Sequence, residues 1–183
     1  MEGHSSRDSL PFAYYDRLTR NQQRIYRQSD GIATVGLPQA TDLRPLVAAL
    51  EETLAAEDRI KVQTAADRLL AEITARLRVP ALRTQVLAVR PSRGWGELHG
   101  LYNGAHAGRS ARVSVWMRTA QRHQVVKFRT FFRTLLHELC HHLDYEMLRL
   151  ADSFHTDGFY RRESSLLRQL LPSPPESEAN ADV

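Results

Sequence analysis

His137, Glu138 and His141 stand in an HExxH pattern inside an apolar run, Thr134-Leu135-Leu136-His137-Glu138-Leu139-Cys140-His141-His142-Leu143. A helix turns by about 100° per residue, so side chains four apart share a face. Both imidazoles then reach one point with Glu138 beside it. Imidazole nitrogen binds zinc at roughly 2.0–2.1 Å, and a catalytic zinc keeps one position open for water. A glutamate in that place takes a proton from the water and later passes it to a leaving amine. The segment must therefore be a helix, and its flanks must hold it in a core.

The flanks meet that requirement. Phe128, Phe132, Leu135, Leu139, Leu143 and Leu150 fall on one side of the helical wheel. His137, His141 and Asp144 fall nearly opposite, next to Thr134, Glu138 and Tyr145. The apolar face anchors the helix while the other face presents the motif. Asp144, three residues past His141, either orients a ligand or is a solvated helix acid.

A catalytic zinc site needs a third protein ligand. Downstream the chain reads Ser153-Phe154-His155-Thr156-Asp157-Gly158-Phe159-Tyr160-Arg161-Arg162-Glu163. A turn near Ala151-Asp152-Ser153 would bring His155 back to the start of a second amphipathic helix with Phe159, Leu166, Leu167 and Leu170. His155 is the favoured third ligand, with Asp157 and Glu163 as rivals. His155 is then expected near both helix histidines, with Phe159 packed on the motif helix and Gly158 letting the chain pass close to that helix. His99 and His106 are spare metal candidates without partner spacing.

From Leu136 to Leu171, the HELCH core followed by His155-Thr156-Asp157-Gly158-Phe159 resembles the SprT-like zinc metallopeptidases, a group that includes proteases acting on DNA-linked proteins. The resemblance implies a zincin-type fold and one zinc on His137, His141 and His155. It also implies Glu138 as the catalytic residue. The family often carries Gly-Pro-Glu after the third histidine, where this chain has Thr156-Asp157-Gly158. Cys140 is the sole cysteine, so a cysteine-built zinc ribbon and a disulfide framework are both excluded. A metzincin would place its third histidine at position 147, where Met147 stands.

The expected activity is zinc-dependent hydrolysis of peptide bonds in protein substrates. Candidate donors to the tetrahedral oxyanion are Tyr145, Tyr160, Arg161 and Arg162. The alternatives are a DNA-associated zinc-containing module and a zincin-fold interaction protein without catalysis. Glu138 argues against both, because a structural site needs no general base.

The formal net charge is +4, carried almost wholly by arginine, since Lys61 and Lys127 are the only lysines. Arginine suits phosphate recognition, which makes nucleic acid a candidate partner. Arg17, Arg20, Arg24 and Arg27 follow helical spacing and read more readily as a solvated face. No run approaches the ~18 apolar residues of a membrane span, and the N-terminus has no apolar signal core. The expectation is a cytoplasmic protein with no membrane association.

Residues 1–10 read as flexible, 11–171 as a single zincin-like domain, and 172–183 as a disordered tail. Within the domain, helices are expected from Phe12 to Ser29, from an Asp42 cap to about Ala56, and from about Asp58 to Leu77. The period then changes to two, giving strands at Thr84–Val89, Gly96–Tyr102 and Ala111–Met117. Helices, a small antiparallel-containing sheet, the HExxH helix and a closing helix make an α+β fold. Strand Arg112–Met117, just before the motif helix, is expected to edge the cleft and to accept an extended peptide by strand addition.

Overall fold

The computed structural model describes residues 12–172 except 94, 95 and 107. The expected flexible start, and the tail beyond Pro172, lie outside the described residues. The architecture is α+β: five α-helices and a mixed three-stranded sheet. No described helix is long and apolar enough to cross a membrane.

The expected first helix is two elements. A 3₁₀ turn at Tyr15–Arg17 is followed by helix α1, Arg20–Asp30. Thr19 restarts the chain as a capping box: its hydroxyl accepts from the Gln22 N–H, and the Gln22 side-chain Oε1 accepts from the Thr19 N–H. Arg17, Arg20, Arg24 and Arg27 are all exposed. Helix α2, Arg44–Ala55, begins from a 3₁₀ turn at Ala40–Leu43 without a side-chain cap. Asp42 is therefore not its cap; that turn already engages the Arg44 N–H through the Thr41 carbonyl. Asp58 does cap helix α3, Arg59–Arg76, by accepting from the Ile60 and Lys61 N–H groups at 3.1 Å each.

The sheet corrects the expected strand arrangement. Strand β1, Arg83–Val89, pairs in parallel with strand β5, Arg112–Arg118. Between them in sequence, Ser92–Arg93 (β2) and Gly96–Glu97 (β3) form a separate two-stranded ladder. Strand β4, Gly100–Asn103, then pairs antiparallel with β5 as a hairpin. The order β1-β5-β4 puts β5 in the middle, so it cannot be the cleft edge. The reason lies in its composition. Besides Val113, Val115 and Met117, the intervening Ser114 and Trp116 are also buried, and a strand buried on both faces belongs in the centre.

The two sheet edges differ. Gln63 donates to the Thr84 carbonyl at 2.6 Å and accepts from the Val86 N–H at 2.7 Å, while Asp67 accepts from the Thr84 N–H at 2.8 Å. Side chains of α3 thus block the outer edge of β1, a common protection against edge pairing. Strand β4 keeps its outer edge toward helix α4, Phe128–Glu146. Phe132, Leu135, Leu139 and Leu143 of α4 are buried as expected, and so are Phe131, Leu136 and Cys140. Burial pushes the Cys140 thiol well above its ordinary range, as for a packed core residue.

Helix α5, Asp157–Leu170, is capped by Thr156, whose hydroxyl accepts from the Phe159 N–H at 3.0 Å. Gly158 lies against α1 rather than against α4. A Cβ there would sit 2.3 Å from the Asp30 carbonyl oxygen and 2.7 Å from that of Ser29. Asp30 also accepts from the Gly158 N–H at 3.0 Å. Because the obstruction is backbone, Gly158→Ala should destabilise the fold by about 1–3 kcal/mol, the usual cost of overpacking. Urea unfolding followed by circular dichroism measures this; an unchanged midpoint would show that the α1–α5 contact is slack.

Candidate metal centre and cleft

Helix α4 carries His137 and His141 one turn apart, and the loop before α5 returns His155 to them. The His155 Nε2 atom lies 3.0 Å from His137 Nε2 and 3.1 Å from His141 Nε2. Among the described residues these three side chains are the group able to hold a metal ion, with one ligand atom of each within 4.8 Å of the others. Their separations suit three nitrogens at ~2.1 Å from one ion. His99 lines the same cleft outside this group, and His106 sits exposed in the β4–β5 hairpin.

The opposite ring nitrogens of His137 and His141 are occupied, which leaves their Nε2 lone pairs pointing inward. His137 Nδ1–H donates to Glu163 Oε2 at 2.8 Å. His141 Nδ1–H donates to Ser153 Oγ at 2.7 Å, and Ser153 in turn donates to Asp144 Oδ2 at 2.6 Å. Such partners fix the tautomer and aim the ring. Glu163, a rival ligand in the sequence, instead lies behind His137, where Arg133 also pairs with it. Asp157 pairs with Arg161 at 2.6 Å. Asp144 is fully buried and reaches His141 only through Ser153.

Phe159 packs against all three imidazoles, with ring centroids 4.9, 4.8 and 5.2 Å from those of His137, His141 and His155. Burial, with the neighbouring His137 and His155 adding to it, depresses His141 to about 3. Burial likewise lowers His155. Neutral imidazoles are the form a metal requires.

Glu138 lies on the β4 side of the cluster. Burial pushes its carboxyl up to about 7, against the opposing pull of His137 and of the Tyr102 backbone N–H. Gly100 makes this placement possible, since a Cβ there would stand 2.3 Å from Glu138 Oε1. The cleft in front has a volume of about 1110 Å³ and runs between β4 on one wall and the His155–Glu163 segment on the other.

Of the four oxyanion candidates, Arg162 is excluded: it is 1% exposed and donates to Asp144 and to backbone carbonyls of Ser29 and Ile32. Arg161 is held by Asp157 and does not line the cleft, whereas Tyr145 and Tyr160 do. Sequence reasoning missed Ser153, His142 and Tyr102. His142 Nε2–H donates to the Pro80 carbonyl at 2.8 Å, so its Nδ1 accepts from the Tyr102 hydroxyl at 3.2 Å. Pro80 and Tyr102 are 62 and 40 residues away, a separation at which no local pattern signals contact.

Replacing Ser153 with alanine should weaken zinc affinity about 10–100-fold, the usual cost of losing a partner that orients a ligand. His137→Ala and His141→Ala should abolish stoichiometric binding. Competition with a chromophoric chelator reads both effects; full affinity in Ser153→Ala would mean that its hydroxyl does not aim the imidazole.

Comparison with protein-family models, curated proteins and solved structures finds no match to this chain.

Proposed function

We propose that the chain is a zinc-dependent endopeptidase of the zincin type, with His137, His141 and His155 as metal ligands and Glu138 as general base. The observation that carries the reading is the convergence of three imidazole Nε2 atoms beside a buried carboxylate, in a cleft bordered by the edge strand β4. The donor set fits zinc: three imidazole nitrogens, each of the two helical ones aimed by a bond from its far side. When bound, zinc would supply a Lewis acid for the substrate carbonyl and make a water acidic enough to attack near neutral pH.

The chain's own residues supply the rest. An extended peptide lying along the outer edge of β4 would gain main-chain hydrogen bonds and present its carbonyl to the imidazole cluster. Glu138 then takes a proton from the attacking water. A carboxyl whose affinity for protons is raised by burial accepts that proton readily and releases it to the departing amine. Tyr102 and Tyr145 stack at 5.9 Å and form one wall of the site. Because the Tyr102 hydroxyl is committed to His142, its role is to hold β4 against α4.

Glu138→Gln keeps the shape and removes the base. It should retain wild-type zinc content and fold while cleaving an unstructured protein such as casein about 10²–10⁴-fold more slowly, the contribution of general base catalysis. Chelation should abolish wild-type cleavage, and added zinc should restore it. Turnover in Glu138→Gln equal to wild type would remove the mechanism.

A further inference from the structure

The cleft differs along its length. Lys127, Arg129 and Arg133, at the start of α4, line one end, while Tyr102 and Tyr145 line the other. The acids in the cleft are engaged. Glu97 pairs with buried Arg90 at 3.5 Å, and Glu163 holds Arg133 and His137. Glu138 lies under Gly100. Lys127 and Arg129 are exposed, and among the described residues neither pairs with a carboxylate. Helix α4 has no acid in its first turn and no side-chain cap, so its positive end adds to these two cations.

We propose that the cleft selects protein segments with Asp or Glu on the carboxyl side of the scissile bond and an apolar or aromatic residue on the amino side. Lys127 and Arg129 are the specificity-determining residues. The inference rests on the peptidase reading above.

The direction follows from the chemistry. Glu138 gives its proton to the departing amine, which belongs to the residue after the scissile bond. Its carboxylate lies between Gly100 and the Tyr102 backbone N–H, whereas the rings of Tyr102 and Tyr145 flank His141 further along. Residues after the bond therefore run toward the cations, and residues before it toward the tyrosines. Arg129 precedes Glu138 by about 13 Å of helix, or about four residues of extended chain. The length of the arginine side chain puts the contact at about the second to fourth residue past the bond.

A nucleic acid fits this cleft less well. Its phosphates would need cations along the whole groove. Here the cations occupy one end, and Glu97, Glu138 and Glu163 line the same cleft.

The test uses fluorescent peptides that differ only at those downstream positions, carrying Glu, Ala or Lys. Zinc-loaded Glu138→Gln protein should bind the Glu peptide about tenfold more tightly than the Lys peptide, as two screened ion pairs allow, and the gap should shrink with added salt. Wild-type kcat/KM should follow the same order, and Lys127→Glu combined with Arg129→Glu should reverse it. Equal affinities, or an order unchanged by the double charge reversal, would overturn the proposal. So would a single-stranded oligonucleotide that binds more tightly than the acidic peptide, which would assign the cations to phosphate. If the peptides bind in the expected order but none is cleaved, the cationic selection stands and the peptidase reading falls.

Discussion

Arg162 and Asp144 form an ion pair with almost no solvent contact where α1, α4 and α5 meet. The guanidinium also donates to the Ser29 and Ile32 carbonyls and to the Ser29 hydroxyl at the end of α1. Carbonyls at a helix C-terminus lack partners within their own helix and sit at the negative end of its dipole, so a buried cation is favoured there. Leaving either member of such a pair alone costs about 3–5 kcal/mol, against a total folding stability of about 5–15 kcal/mol. Asp144 spends its second oxygen on Ser153, and Ser153 holds His141. The bond that closes the helical core thereby also aims one of the candidate ligands.

The same economy holds at His137 and Glu138. Glu163 comes from α5, one turn after Phe159, so a single helical face supplies both the ring packed on the imidazoles and the carboxylate that orients one of them. On the far wall Gly100 makes room for Glu138 where any side chain would collide with it. Low dielectric around the cluster strengthens each of these contacts and keeps His141 and His155 neutral. The cleft lies along β4, whereas the other sheet edge, β1, is closed by Gln63 and Asp67 from α3. Edge protection at one side of the three-stranded sheet leaves β4 as the edge along which the proposed extended substrate would lie.

Much was legible in the residues themselves. The HExxH spacing, the apolar face of α4, a helix from about Asp58 to Leu77, a closing helix after His155 and the α+β order all follow from periodicity within about 20 residues of chain. Helical geometry alone puts His137 and His141 on one face with Glu138 beside them. What the sequence left open was decided by contacts between distant segments. Choosing His155 over Glu163 as the inward-facing group depends on how α5 crosses α4, and that crossing depends on Gly158 against Asp30 and on Arg162 against Asp144. The central place of β5 depends on covering both of its faces, which an alternating pattern of Val113, Val115 and Met117 could not reveal. Ser153, Tyr102 and His142 carry no local signature, since their partners lie 9 to 62 residues away. Short-range periodicity determined the elements and two of the three imidazoles; burial of charge and the packing of helix on helix decided the third and the cleft along β4.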